Sequence, residues 1–165
     1  MDPVRDVDQA GVRGVYGTFP TGIVAICALG EDDRAVGMAA SSFVAVSLDP
    51  PIVSVCVQHT STTWPVLAGR ARLGLSVMSS TQEGACRRLA ARGVDRFAEL
   101  DLTVTAGGAV LIDGAAAWLE CGVHDVVRAG DHDVVLLRIE ALKQHVGVTP
   151  LVFHGSAFHT LAAMA

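Results

Sequence analysis

The sequence predicts a mainly β domain, an antiparallel barrel with only a few short helices. Runs of β-branched and apolar residues recur along most of the 165-residue chain. The segments between these runs are mostly of hairpin length, which is typical of antiparallel sheets. Long helical patterns do not alternate with the runs, as they would in a parallel α/β sheet. One domain is expected from the length.

Strand predictions rest on this apolar pattern. Seven segments share it and are each expected to contain a strand: 15–29 (after a turn at FPTG), 35–47, 52–58, 70–78, 116–127, 132–145 and 150–161. Within 52–58, alternation places Val53, Val55 and Val57 on the core face and leaves small and polar residues on the other.

The breaks between these segments have recognisable turn chemistry. The polar tetrapeptide at 31–34 and RAGD at 128–131 predict hairpin turns. LDPP at 48–51 is expected to break the strand before it, because neither proline can donate to a sheet ladder.

Two segments predict helices. In 59–69 a hydroxyl residue can cap a short helix, with Pro65 in its first turn and a glycine after its end. The segment 79–93 is the clearest helix, with Ser80 and Glu83 as a capping box and Gly93 as its stop. The inner stripe of this helix is expected to hold Cys86, Leu89 and Ala90. A looser region is expected from 95 to 114.

Composition restricts the class of protein. Hydrophobic residues make up 51% of the chain and charged residues 18%, and the mean hydropathy is +0.46. No apolar stretch reaches the roughly 18 residues that a membrane span needs, so the surplus apolar surface predicts a homodimer. The acidic, polar N-terminus does not resemble a signal peptide, and a cytoplasmic location is expected. A net charge of −5 without a basic run argues against nucleic acid.

Several chemistries have no motif in this chain. No glycine fingerprint for dinucleotides, phosphate-binding loop or hydrolase nucleophile elbow occurs. The four cysteines have no CxxC spacing and are expected to be buried free thiols. The DHD sequence at 131–133 is expected to be a solvated turn, so no metal site is predicted.

The segment 37–42, GMAASS, is the strongest candidate for a binding site. Small residues let a main chain approach a flat ring or a phosphate, and hydroxyls add hydrogen-bond donors. The same residues also suit a crowded crossing of strands. Composition alone leaves these two interpretations equally open.

Motifs along nearly the whole chain, from about 12 to 161, resemble the short-chain flavin reductase family, the reductase components of two-component flavin-dependent monooxygenases. They occur in one order: FPTGIVAI (19–26), GMAASSFVAVSLDPPIVSVCV (37–57), STTW (61–64), DRF (95–97), LEC (119–121), GDH (130–132) and PLVFHGSAF (150–158). The resemblance implies the FMN-binding split barrel, a six-stranded antiparallel Greek-key barrel that works as a homodimer. It implies that NADH or NADPH reduces FMN or FAD, and that the reduced flavin diffuses to a partner monooxygenase.

The resemblance also implies which residues hold the flavin. The expected phosphate, ribityl and ring contacts are Gly37, Met38, Ala39, Ala40, Ser41, Ser42, Ser54, Val55, Cys56, Val57, Gln58, Ser61, Thr62, Ser76, Arg96 and Phe97. Arg96 is the expected fixed positive charge on the phosphate. For each contact a purely structural role is the alternative.

By the same resemblance, His132 is the expected catalytic residue beside the nicotinamide, where its imidazole can orient the ring or adjust charge on the flavin. Phe153, His154 and Phe158 are expected to cover the nicotinamide. The chain has Ala39, Ser76 and His154 where the family often has Thr, Asn and Arg. These losses of donors and charge leave two alternatives open: a flavin- or ligand-binding dimer that does not reduce, and a diverged enzyme with non-redox chemistry on an aromatic or polyketide-like substrate.

Overall fold

The computed structural model describes residues 3–162. Its α-helices are α1 (Gln9–Tyr16), α2 (Trp64–Ala68) and α3 (Glu83–Ala90). Its strands are β1 (Thr21–Gly22), β2 (Val24–Leu29), β3 (Ala35–Ala40), β4 (Val44–Leu48), β5 (Pro51–Gln58), β6 (Leu73–Val77), β7 (Leu102–Val104), β8 (Val110–Ile112), β9 (Ala117–Ala129), β10 (His132–Gln144), β11 (Leu151–His154) and β12 (Ala157–Thr160). In this part of the chain, no helix is long and apolar enough to cross a membrane.

The strands form one large antiparallel sheet with the order β3-β2-β6-β9-β10-β5-β4. Two smaller antiparallel sheets, β1-β11-β12 and β7-β8, flank it. The mainly β, antiparallel fold class is therefore confirmed. The large sheet has seven strands rather than six, because the expected strand 35–47 divides at 41–43 into β3 and β4.

The large sheet is rolled around its main core. Val24 and Ile26 of β2 lie in the same buried cluster as Val53, Val55 and Val57 of β5, although three strands separate β2 from β5 in the sheet. Such contacts require the sheet to curl, so that its inner faces meet as in a barrel. The predicted core face of Val53, Val55 and Val57 is confirmed by this packing, but Ile52 and Ser54 on the opposite face are also buried.

A second core lies on the outer face of β2. Ala25 and Cys27, which alternate with the inward residues, pack there with Leu89 of α3, Val110 of β8 and Leu151 of β11. Because β2 is covered on both faces, its residues from Val24 to Ala28 are all buried. This explains why its sequence is a continuous apolar run rather than an alternation.

Several local predictions are corrected. The helix α3 begins after Gln82, so the capping box of Ser80 with Glu83 is wrong, and Ala90 is exposed rather than part of an inner stripe. The helix also ends before Gly93.

Sequence reasoning missed several local features, among them the helix α1, the β7–β8 hairpin inside the looser region, and the second strand of the β11–β12 hairpin. Each of these elements is eight residues or shorter, which leaves little room for a periodic pattern.

The prediction of buried free thiols holds for three of the four cysteines. Cys27, Cys86 and Cys121 are buried and free, and burial raises the pKa of each thiol to about 12. Cys56 is free but exposed, because it lies on the outward face of β5.

Candidate functional site

A cleft of about 440 Å³, here called the loop-side cleft, opens where β3 and β5 meet the loop before α2. Its lining residues are Met38, Ala39, Ala40, Ser41, Ser42, Cys56, Val57, Gln58, Thr60, Ser61, Thr62, Thr63, Leu89, Ala90, Arg92, Arg96 and His132. Eleven of the sixteen residues expected to hold the flavin are in this set. The tertiary structure thus brings segments 38–42, 56–58, 61–62 and Arg96 to one place.

The outward face of β5 forms one wall of the cleft. Cys56 and Gln58 are exposed there, while Val55 and Val57 are anchored in the core. The strand is therefore held rigidly by one face and is available to a ligand on the other.

Ser42 ties the corner between β3 and β4 to β5. Its Oγ atom accepts a 2.8 Å hydrogen bond from the main-chain nitrogen of Cys56 and donates a 3.1 Å bond to the carbonyl oxygen of the same residue. The proton of this hydroxyl and one of its two acceptor lone pairs are therefore used within the protein. Its neighbour Ser41 is exposed and lines the cleft, and no hydrogen bond of its side chain occurs among the described residues.

Arg96 is held in place by neutral oxygen atoms. Its Nε atom donates to the carbonyl of Ala91 at 2.9 Å, and Nη1 donates to the carbonyl of Gly37 at 3.0 Å and to Oγ1 of Thr63 at 2.8 Å. Within residues 3–162 no carboxylate pairs with this guanidinium. Its orientation is fixed while its positive charge stays available to an anion.

The chain as a whole has a net charge of −5, but the local charge of the loop-side cleft is positive and suits an anion. Two arginines, Arg92 and Arg96, line it, and no Asp or Glu is among its described lining residues. Six hydroxyl side chains line the same cleft: Ser41, Ser42, Thr60, Ser61, Thr62 and Thr63. Ser61 is partly engaged, since its Oγ accepts a 3.1 Å hydrogen bond from the main-chain nitrogen of Trp64. This donor set is that of a phosphate site.

A larger cleft of about 780 Å³, here called the helix-side cleft, adjoins the first. Its lining residues are Val7, Gln9, Val12, Arg13, Tyr16, Gly17, Phe19, Thr21, Ser41, Gln58, Asp131, His132, Phe153 and Ser156. Three of them, Ser41, Gln58 and His132, also line the loop-side cleft. Two ligands, one in each cleft, would therefore meet at these three side chains.

His132 begins β10 directly opposite Gln58 of β5. Its Nδ1 lies 2.7 Å from Oδ1 of Asp131, and the side chain is 40% exposed. The hydrogen bond from His132 lowers the pKa of the Asp131 carboxyl below its ordinary value. When Nδ1 carries the proton of this bond, Nε2 is left for a ligand at the boundary of the two clefts.

A second histidine–carboxylate pair lies beside the first. Nε2 of His59 is 2.9 Å from Oδ1 of Asp133, and the main-chain nitrogen of His59 donates to the carbonyl of Asp131 at 3.0 Å. These contacts fix the β9–β10 turn, which carries His132, against the end of β5.

Of the residues expected to cover the nicotinamide, Phe153 lines the helix-side cleft. Phe158 instead packs edge-on against Phe153, with ring centroids 5.3 Å apart, and lies under the guanidinium of Arg87 at 4.7 Å. His154 is exposed outside both clefts and faces the ring of His159 at 5.9 Å.

Five expected flavin contacts lie outside the loop-side cleft. Ser76 is fully buried, where its Oγ accepts a 2.9 Å hydrogen bond from the nitrogen of Ile112. Ser54 and Val55 are buried within β5. Gly37 and Phe97 line a separate small depression, and Phe97 also packs in the second core.

The structure adds residues that the sequence did not single out. Arg92, Thr60 and Thr63 line the loop-side cleft, and α1 with Arg13 and Tyr16 lines the helix-side cleft. Asp8 could have revealed α1, because it caps the helix by accepting a 2.8 Å hydrogen bond from the nitrogen of Gly11.

The fold is a rolled antiparallel barrel whose loop-side cleft has two arginines and no carboxylate among its described lining residues, beside a second and larger cleft. Comparison with known proteins identifies the class. The family described as flavin reductase like domain matches residues 16–162, and the chain belongs to this family.

Three relatives illustrate the match. A flavin reductase of Pseudomonas putida is 34% identical over 158 residues, covering 96% of this chain and 93% of the relative. The solved structure of a Streptomyces globisporus NADH:FAD oxidoreductase, in complex with NAD and FAD fragments, has a TM-score of 0.89 at 34% identity and covers 98% of this chain and 96% of that one. The flavin-dependent monooxygenase reductase subunit HsaB of Rhodococcus jostii is 32% identical over 148 residues, covering 90% of this chain and 75% of the relative.

Proposed function

We propose that this chain is an NAD(P)H:flavin oxidoreductase that reduces free FMN or FAD with NADH or NADPH and supplies the reduced flavin to a partner monooxygenase. The observation that carries the proposal is the shared wall of Ser41, Gln58 and His132 between a cleft suited to a phosphorylated ring and a larger second cleft. Relatives named as NADH-dependent FAD reductase and as monooxygenase reductase subunit support the reaction and the partner.

The residues of the loop-side cleft fit a flavin. Arg96 and Arg92 supply charge for its phosphate, and Ser41, Thr60 and Thr62 supply hydroxyls. Met38, Ala39 and Cys56 offer a small, mostly apolar surface on which a flat ring can lie.

His132 and Asp131 orient the second ligand. When nicotinamide and flavin are both bound, the pair of rings supplies the hydride chemistry, which needs no acid or base on the transferred carbon. The contribution of His132 is then to position the nicotinamide and to place a polar nitrogen near the charge that develops. Asp131 is a positioning residue that acts through His132.

A steady-state panel of NADH and NADPH against riboflavin, FMN and FAD tests the proposal. We expect nicotinamide oxidation with at least one pair and a higher KM for riboflavin, which has no phosphate to meet Arg96. No turnover with any pair would contradict the proposal. A purified protein that binds flavin but is not bleached by NADH would favour the non-reducing alternative.

We further propose a homodimer. Three side chains of the edge strand β4 support it, since Val44, Val46 and Leu48 are 56%, 51% and 96% exposed in the single chain. Light scattering coupled to gel filtration should give twice the 17.1 kDa chain mass, and a monomeric mass would contradict the proposal. A cytoplasmic location is proposed because NADH is an intracellular reductant, and cell fractionation tests it.

A further inference from the structure

One wall of the helix-side cleft is formed by the helix α1. The helix α1 contributes Gln9, Val12, Arg13 and Tyr16 to it, and no residue of this helix is buried. Its end is joined to the β11–β12 turn by a 2.9 Å hydrogen bond from the nitrogen of Gly155 to the carbonyl of Gly17. The helix thus lies on the surface with one face directed at the cleft.

Arg13 is the arginine of this wall, and no other Lys or Arg is among the described lining residues of the helix-side cleft. Its side chain is exposed, and within residues 3–162 no ion pair or hydrogen bond engages its guanidinium. Asp131 is the one carboxylate in that lining set, and it is already bound to His132 at 2.7 Å. The positive charge of Arg13 therefore faces the cleft uncompensated.

Two aromatic rings line the same cleft as Arg13. Tyr16 and Phe19 both line the helix-side cleft, and each is 73% exposed. Tyr16 is the one tyrosine of the chain. Large rings left in water carry an unfavourable free energy that a stacked planar ligand would remove.

The cleft is therefore cationic and aromatic at α1 and meets the flavin position at His132. We infer that Arg13 binds the pyrophosphate of the nicotinamide dinucleotide, and that Tyr16 packs against its adenosine half. This inference rests on the proposed function. The nicotinamide end reaches His132 and Gln58, where the two clefts join, while α1 holds the distant phosphates and so raises affinity for the intact dinucleotide.

Truncated hydride donors test the role of Arg13. Dihydronicotinamide riboside carries the reactive ring without any phosphate, whereas NADH carries the full pyrophosphate. For Arg13→Gln we expect kcat/KM with NADH to fall about tenfold, as for loss of a charged hydrogen bond. With the riboside, kcat/KM of the variant should stay within about twofold of the value for the unmodified protein. The KM for flavin should not change. Arg138→Gln is the matched control, because Arg138 is exposed, lies outside both clefts and pairs with Glu140. This variant should change neither kcat/KM with either donor nor the KM for flavin.

An equal loss with both donors, or no loss with NADH, would overturn the assignment of Arg13. A changed oligomeric mass accompanied by equal losses would show a structural role instead and would also overturn it.

For Tyr16→Ala, the loss should appear with NADH but not with reduced nicotinamide mononucleotide, which lacks the adenosine. An equal loss with these two donors would overturn the assignment of Tyr16.

A binding measurement separates this inference from the proposed function. Calorimetric titration with NAD⁺ in the absence of flavin should give a Kd about tenfold higher for Arg13→Gln than for the unmodified protein. If the unmodified protein reduces no flavin, the proposed function fails, and the two titrations still decide whether Arg13 binds the dinucleotide. If the unmodified protein reduces flavin and both proteins give the same Kd for NAD⁺, the proposed function stands and the role of Arg13 fails.

Discussion

Nη1 of Arg96 donates a 3.0 Å hydrogen bond to the main-chain carbonyl of Gly37. This bond joins the loop after α3 to β3, and the same nitrogen reaches Thr63 before α2. One guanidinium therefore holds together three chain segments that form the loop-side cleft. Because its partners are neutral, the residue both organises the cleft and leaves a positive charge in it.

Replacing Arg96 should affect stability and flavin affinity together. For Arg96→Ala we expect the free energy of unfolding to fall by about 1–3 kcal/mol, since two carbonyl oxygens lose their donor. The KM for flavin phosphates should rise about tenfold or more. Arg92→Ala is the matched comparison: it removes a charge from the same cleft, but no hydrogen bond of its side chain within residues 3–162, so it should raise the KM without lowering stability. Urea unfolding and steady-state kinetics measure both effects, and an unchanged KM in both variants would contradict the phosphate role.

Gly37 should not tolerate a side chain. A Cβ atom there would lie 2.5 Å from Sγ of Cys27 and 2.9 Å from both the carbonyl oxygen of Ile26 and Cζ of Phe97. We expect Gly37→Ala to cost about 1–3 kcal/mol of stability by overpacking. Gly84→Ala, in an open position of α3, should instead be neutral or stabilise by up to about 1 kcal/mol. Equal thermal midpoints for the two variants would contradict this explanation of the glycine.

Ser41 and Ser42 are adjacent but should behave differently. Ser42→Ala loses both hydrogen bonds to Cys56, which predicts a loss of about 1–3 kcal/mol in the free energy of unfolding. Ser41→Ala removes an exposed hydroxyl that lines both clefts, so it should leave stability within about 0.5 kcal/mol and raise the KM for flavin. Chemical denaturation of the two variants beside the unmodified protein provides the measurement. A larger loss of stability in Ser41→Ala than in Ser42→Ala would contradict the structural role of Ser42 and the ligand-binding role of Ser41.

The thiols should report on occupation of the loop-side cleft. Cys56 is exposed and lines that cleft, whereas burial raises the pKa of Cys27, Cys86 and Cys121 to about 12. A disulfide reagent at neutral pH should modify one thiol quickly and the other three only after denaturation. Saturating flavin should slow the fast reaction, and Cys56→Ser should abolish it. If saturating flavin does not slow the reaction of Cys56, the flavin binds outside the loop-side cleft.

The Asp131–His132 pair has a defined pH dependence. Because the hydrogen bond from His132 lowers the pKa of the Asp131 carboxyl, folding favours the ionised carboxylate. The contribution is present above the ordinary Asp pKa of about 3.9 and is lost as pH falls through the lowered value. Carboxyl NMR titration should place the Asp131 midpoint below about 3.9, and His132→Ala should move it upward. A midpoint at or above the ordinary value would contradict the pairing.

Sequence reasoning placed most of the β segments because their determinants are local. The hairpin 128–131 and the break at 48–51 depend on glycine and proline chemistry, and the outward face of 52–58 depends on alternation alone. The predicted capping box of Ser80 with Glu83 does not form because Gln82 is the residue that precedes the helix. The side chain of Gln82 accepts a hydrogen bond from the main-chain nitrogen of Ser79 and donates another to the carbonyl of Asp113. The second of these bonds joins residues 31 positions apart and leaves no trace in a local pattern.

The sequence by itself determined the mainly β class, the inward face of β5, and the segments 38–42, 56–58 and 61–62 as cleft residues, because each depends on short-range periodicity or on motifs shared with relatives. Tertiary structure alone decided that Ser76 bonds to Ile112 rather than lining the cleft, and that Gly37 is small because β3 presses on Cys27 and Phe97. It also decided that α1 faces the second cleft. These outcomes depend on contacts between residues far apart in the chain, where packing and hydrogen-bond competition determine which side chains remain free for a ligand.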